Sequence, residues 1–353
     1  MANTGARSRA ALAVCWLVTG VAMVVVPVWL GWTRWQAILT GHPLMLALTI
    51  ACLLFGFVAA AWATATLVLG DRAEDPERGR QLTPRQRIQR ADRRVALGVP
   101  PLLVCVLLVT ALAWARPLSA SPVAVAASRS AADVQVSDRL TWYEMTSVAR
   151  DKNGDIRKPT VGLVFVPGAR VDPRAYAHLL APLARAGYFV AVLKEPFGVA
   201  LADGGHAGRV MELHPEVRAW AVGGHSLGGV AASSFAQDHP QVGGVPVSGL
   251  VLYASYPSGA VDRPGLSVTS VSGELDGLTT PADVAKSKTD LPPATRYVVV
   301  PGAVHSSFGD YGLQSGDGTP TGDRAAAQAQ ITKATQQLLV TITPKAKTKA
   351  KKK

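Results

Sequence analysis

The residues most able to do chemistry lie in "AVGGHSLGGVAASS", 221–234, where Ser226 stands between Gly224-His225 and Leu227-Gly228. A serine hydroxyl becomes a useful nucleophile only when a base takes its proton. The seven histidines are His42, His178, His206, His214, His225, His239 and His305. Only the last three lie at or beyond the serine. His225 adjoins it and is expected to point elsewhere from the turn, and His239 falls at the far end of the following segment. That leaves His305, in "PGAVHSSFGDYG". Such a base needs a carboxylate to hold its tautomer and stabilise the imidazolium. "VTSVSGELDGLT" offers Glu274 and Asp276. Asp276 is favoured because Asp-Gly after a short turn sets the carboxylate on a loop, and Glu274 is the alternative. In the chain order Ser226, Asp276, His305, these side chains would support nucleophilic attack on an acyl carbonyl.

The elements that must position them follow from the apolar pattern. "VGLVFV" (161–166), "YFVAVLK" (188–194), "RAWAVGG" (218–224), "SGLVLYASYP" (248–257), "LSVTSVSG" (266–273) and "RYVVVPG" (296–302) are short apolar runs. Helical spacing separates some of them, as in "RAYAHLLAPLARAG" (174–187), and a last helix is expected over 323–341. "VQVSDRLTWYEM" reads as an opening strand or hairpin arm. Fully apolar strands alternating with helices predict an α/β domain, with a mostly parallel sheet covered on both faces. Ser226 then falls at a strand–turn–helix junction, with glycines where a strained turn has no room for side chains.

These motifs, "VFVPGARVDPRAY", "GGHSLGG", "SGELDG" and "PGAVHSSFGDYG", resemble the α/β-hydrolase superfamily over about 134–342, and within it the small esterase or dienelactone-hydrolase-like branch. The resemblance implies the α/β-hydrolase fold and a serine hydrolase cleaving carboxylic esters through an acyl-enzyme; with no phosphate-binding Gly-Lys-Ser/Thr, no His-Glu-x-x-His and no dinucleotide fingerprint in the sequence, no cofactor and no metal are expected. It also implies an oxyanion hole made by the backbone N–H groups of Ala169 and Leu227. Dienelactone hydrolases use a cysteine where this chain has Ser226, so their substrate does not carry over. About ten residues separate Tyr256 from Leu266, too few for a large lid, so loops 195–216 and 308–323 are expected to frame the pocket. An acyltransferase using the same triad and a non-catalytic binding protein on the same fold are the alternative readings. Arg170 and Lys194 follow expected strand ends, where they would face either an anionic substrate or solvent. The carboxylates of 308–323 lack the spacing of a calcium loop and read as turn chemistry.

The N-terminal third has a different character. In a chain of 353 residues that is 48% hydrophobic, 11–33, 43–69 and 95–115 are uncharged runs of more than 20 residues, long enough to cross a membrane as helices. A cleaved signal peptide would have a shorter apolar run. Eight arginines between Arg72 and Arg94, with Arg7 and Arg9, predict a cytoplasmic N-terminus and second loop, and a catalytic domain on the extracytoplasmic side. The net charge of +12 resides in the first 133 residues and in six lysines after 342, so the domain between them is near neutral and nucleic acid is not an expected partner. Residues 116–133 read as a Pro/Ser/Ala-rich linker, and 343–353 as a basic disordered tail that either lies against an anionic surface or is solvated. Cys15, Cys52 and Cys105 all fall in the apolar runs, which leaves the catalytic region without thiols. A membrane setting suggests a small-molecule or lipid-like acyl ester as substrate.

Overall fold

The computed structural model describes residues 4–69 and 84–345. Of the described residues, 4–38, 44–69 and 84–116 form one compact unit, and 117–345 with the short segment 39–43 form the other.

The first unit contains α1 (Thr4–Thr40), α2 (Pro43–Leu69) and α3 (Pro84–Trp114). Their stretches Ala10–Thr40, Pro43–Val68 and Ala96–Trp114 are long and apolar enough to cross a membrane. Small residues let the first two helices touch. A Cβ on Gly20 would meet the Ala60 nitrogen at 2.7 Å, and one on Gly56 would meet Met23 Cβ at 2.8 Å. Most of the arginine-rich loop, 70–83, lies outside the described residues. From Pro84 onward that segment is helical, a backward extension of the third apolar run.

The stretch expected as a tether carries a helix, α4 (Pro122–Ala127). Its flanks are hydrogen-bonded into the second unit: Leu118 N donates to Arg170 O (2.7 Å), Asp172 N to Leu118 O (2.9 Å) and Ser121 N to Asp310 O (2.7 Å). Proline and small residues gave it the look of a linker, but backbone pairing does not depend on side-chain size.

After α4 the order is β1 (Val134–Asp138), β2 (Trp142–Ser147), β3 (Val161–Val166), α5 (Ala177–Arg185), β4 (Phe189–Leu193), α6 (His206–Glu212) and β5 (Ala219–His225). Then come α7 (Leu227–Asp238), β6 (Gln241–Val242), β7 (Val245–Tyr253), β8 (Ser267–Gly273), α8 (Pro281–Lys286), β9 (Arg296–Val300) and α9 (Arg324–Ile342). The sheet runs β1-β2-β4-β3-β5-β7-β8-β9, with β6 attached to β7. The strands from β4 to β9 on this path are parallel, and the β1–β2 hairpin joins antiparallel to β4.

Both faces of β3, β4 and β5 are buried, which is why they read as continuous apolar runs, whereas β9 at the sheet edge is buried only at Val300. In β3, Leu163 and Phe165 join a core with Leu179, Leu180 and Leu183 of α5 and Ile331 and Leu338 of α9. Val164 and Val166 join the opposite core with Val210 and Met211 of α6 and Phe235 of α7. Trp220, fully buried, lies over Gly162 of the neighbouring strand, and a Cβ there would fall 2.2 Å from its ring. Parallel strands covered in this way present their C-terminal ends together at one edge, where the loops are free to carry side chains.

Candidate active site

Ser226 sits between β5 and α7 with φ 53° and ψ −126°, a conformation L-residues seldom adopt. Holding it costs about 1–3 kcal/mol, which surrounding structure must offset. Four contacts do so: Ser226 N donates to Tyr253 O (3.0 Å), and Ser226 O accepts from Gly229 N (2.9 Å), Val230 N (3.3 Å) and Ser255 Oγ (2.6 Å). The flanking glycines are required by close backbone approach. A Cβ on Gly224 would lie 2.3 Å from the Gly228 carbonyl carbon, and one on Gly228 would lie 2.2 Å from Val166 O and 2.3 Å from Pro167 O. The first turn of α7 therefore rests directly on the backbone leading to Ala169.

His305 opens a short turn after β9, and Asp276 a turn after β8. The structure brings these two together: His305 Nδ1 is 3.0 Å from Asp276 Oδ2 and 3.2 Å from Oδ1, with both side chains buried. Asp276 Oδ1 also accepts from Leu278 N (2.9 Å) and Thr279 N (2.7 Å), so the carboxylate is fixed by its own loop. Glu274, the alternative acid, is exposed and accepts from Gly302 N (2.8 Å), closing the turn after β9. Between Asp276 and Glu274, only Asp276 reaches the histidine. Ser226 Oγ and His305 Nε2 have no hydrogen-bond partner among the described residues, so the structure does not join the serine to the histidine directly.

Ala169 and Leu227 stand out in an accounting of backbone amides. In the loop after β3, Gly168 N donates to Tyr176 Oη (2.9 Å), Arg170 N to Gly198 O (2.8 Å) and Val171 N to Gly168 O (3.0 Å). Ala169 N is the one in this run with no acceptor among the described residues. At the serine, the amides of Ser226, Gly229 and Val230 are engaged, while those of Leu227 and Gly228, in the first turn of α7, are not, and Leu227 N is the one next to the serine. A helix N-terminus beside a second unpaired amide favours developing negative charge.

Three contributors escaped the sequence reading. Asp317, in a loop that read as turn chemistry, accepts from His305 N (2.9 Å), Ser306 N (2.8 Å), Gly318 N (2.8 Å) and, at 3.4 Å, Gly277 N, so it ties the histidine loop to the Asp276 loop. Burial acts to raise its pKa, but these donors outweigh burial and hold it below the ordinary carboxylate value. His225, expected to point away, has its ring centroid 4.5 Å from that of His305. Its Nδ1 lies 2.9 Å from Tyr176 Oη. No sequence signal marked Tyr176, which sits 49 residues from its partner in the chain.

Lys194 faces neither substrate nor open solvent. It is buried, donating to Arg139 O (2.7 Å) and pairing with Asp138 Oδ1 (2.6 Å) across the β1–β2 turn. Arg170 is half-buried next to Ala169, with a φ of 62°. Among the described residues, no group of three or more His, Cys, Asp or Glu side chains could hold a metal ion. In loop 308–323, Asp310 is taken up by Arg324 and Gln328, and Asp317 by amides.

Residues 162–330 match the model of the alpha/beta hydrolase family. The fold is the α/β-hydrolase fold. No curated protein matches the sequence. Among solved structures, the chain is similar to a thermostable esterase from Pseudomonas putida ECU1011 (13% identity, TM-score 0.45, covering 63% of this chain and 88% of that one). It is also similar to a ferulic acid esterase from Streptomyces cinnamoneus (14%, TM-score 0.40, 58% and 86%). A third such structure is TT1662 from Thermus thermophilus (16%, TM-score 0.40, 58% and 98%).

Proposed function

We propose that this chain is a membrane-anchored serine hydrolase that cleaves carboxylic esters through Ser226, His305 and Asp276. The observation that carries the reading is the buried His305–Asp276 pair at the same sheet edge as the strained Ser226. In this mechanism His305 Nε2 takes the Ser226 proton as Oγ attacks the carbonyl carbon. The electron pair of the C=O bond moves to oxygen, which accepts hydrogen bonds from the Ala169 and Leu227 amides. Asp276 holds the Nδ1–H and stabilises the imidazolium. As the tetrahedral intermediate collapses, the C–O bond to the alcohol breaks and His305 gives that oxygen its proton. Water, deprotonated by the same nitrogen, then releases the acid and restores the serine. Each oxyanion donor typically contributes about 2.7–4 kcal/mol to the barrier reduction.

The test is fluorophosphonate labelling and p-nitrophenyl ester hydrolysis by full-length protein in detergent. The parent should react by both measures, and Ser226→Ala and His305→Ala should lose both. A folded parent that is inert, or a Ser226→Ala variant that still labels, overturns the reading. The anchor helices and the arginines around them would set the catalytic unit outside the cytoplasm. Ser315, exposed in a unit without thiols, gives the readout: Ser315→Cys should react with a membrane-impermeant maleimide in intact cells. Labelling only after lysis would reverse the proposed orientation.

A further inference from the structure

We propose that Tyr176 and His225 are positioning residues: a one-way hydrogen-bond relay from the Gly168 amide through Tyr176 to His225 holds the loop that presents the Ala169 N–H. The inference rests on the proposed reading of the site and adds to it two side chains that touch neither the serine nor the acid.

The direction of the relay follows from its donors. Gly168 has only an N–H to offer, so Tyr176 Oη accepts at 2.9 Å. The tyrosine is wholly buried, and burial raises its pKa beyond any working pH although the Gly168 contact pulls the other way; it keeps its proton. That proton is then free for His225 Nδ1, 2.9 Å away, which must present a lone pair. The imidazole stays neutral, with hydrogen on Nε2. Burial first, and then the neighbouring His305, push its pKa well below the ordinary imidazole value. A contact with the His305 backbone pulls the other way without reversing the shift.

The contact is too close to be incidental. A Cβ on Gly168 would lie 2.8 Å from His225 Nδ1 and 3.3 Å from Tyr176 Oη. Gly168 has no side chain to restrict its dihedral angles, so outside contacts must fix the peptide carrying the Ala169 N–H. Two do so: Tyr176 on the Gly168 nitrogen, and Val171 N on the Gly168 oxygen (3.0 Å). The same histidine ring lies 4.5 Å from that of His305. One side chain thus braces both the oxyanion loop and the base.

The experiment measures kcat and KM on p-nitrophenyl butyrate and inhibition by an aryl trifluoromethyl ketone, which forms a tetrahedral adduct on the serine. Full-length protein is used throughout. Tyr176→Phe and His225→Leu should each lower kcat about 10- to 100-fold with KM within about twofold, and weaken the ketone by the same factor as kcat/KM, since a loosened oxyanion site loses only transition-state contacts. His225→Asn, whose side-chain oxygen takes the place of Nδ1, should recover at least about fivefold in kcat over His225→Leu. The relay is overturned if folded Tyr176→Phe keeps parental kcat, if the loss appears in KM, or if folded His225→Asn is as impaired as His225→Leu. Failure of the wider reading looks different: Ser226→Ala would then retain turnover.

Discussion

Replacing Gly228 with alanine is predicted to separate the two halves of the oxyanion site while leaving the domain folded. The added Cβ would stand 2.2 Å from Val166 O and 2.3 Å from Pro167 O, where real Cβ atoms essentially never come within 3.0 Å. Both partners are backbone atoms, so no side chain can swing aside, and α7 and the loop after β3 must part by most of an ångström. Overpacking of this kind costs about 1–3 kcal/mol. Alanine for glycine in a helix returns about 1 kcal/mol, and Gly228 lies within α7 without a positive φ. The net, roughly 0–2 kcal/mol, moves the melting temperature of a domain this size by no more than several degrees. The chemistry suffers more, since a 1 Å misplacement costs about 100-fold. Steady-state ester hydrolysis should therefore show kcat reduced about 100-fold with KM changed little, beside a melting curve close to the parent's. A folded Gly228→Ala protein with kcat within threefold of the parent would refute the role given to this close approach.

The other expectations follow from the same contacts. Asp276→Asn should lower kcat by about 10⁴ while the fold persists, as the histidine loses its orienting carboxylate; Glu274→Gln, at an exposed turn, should stay within twofold, and the reverse order of effects would exchange their roles. Asp317 has its pKa depressed below the ordinary 3.8. Its contribution is therefore complete above about pH 4 and is lost as pH falls through the folded-state value; Asp317→Asn should lose activity at neutral pH and shift less on acidification. His214 is affected oppositely. Burial acts to lower its pKa, but hydrogen bonds to Glu144 (3.3 Å) and Glu216 (3.0 Å) prevail and raise it above 6.5. That stabilisation is full below pH 6.5 and is lost as pH rises through the folded value, so the parent should melt lower at pH 8.5 than at pH 6, and His214→Gln should flatten the difference.

The sheet was legible because its signals are local. Six buried residues in a row at Val161–Val166, and an apolar run ending at a glycine turn before a helix, reflect burial on both faces and can be read without knowing the neighbours. The linker was misread for the converse reason. What fixes residues 117–121 is backbone pairing to Leu118 and Ser121 from segments about 50 and 190 residues away, and backbone groups leave no mark on composition. Lys194 failed in the same way. Position after a strand suggested exposure, but the β1–β2 hairpin that covers it is a tertiary event.

Within the site, what could be read was what one residue type and one spacing determine. Gly224 and Gly228 announce a tight turn, and the strand order then ranks the carboxylates and histidines by where their loops emerge. What could not be read was the bracing. His225 was set aside because it adjoins the serine and was expected to point elsewhere from the turn, yet at φ 53° Ser226 has left the strand, and adjacency in the chain does not separate the two side chains. The turn that exposes the serine also sets His225 beside His305 and within reach of Tyr176. If strain at Ser226 is what places both residues, releasing it should disturb both. Ser226→Gly adopts the positive φ without cost and removes the nucleophile. It should raise stability slightly over Ser226→Ala, which keeps the strain, and leave the His225 and His305 ring resonances broader in NMR spectra of the solubilised protein. Equal stability and equally sharp ring signals in the two variants would mean that the hydrogen bonds to Ser226 O, and not the side chain's own backbone preference, set the turn.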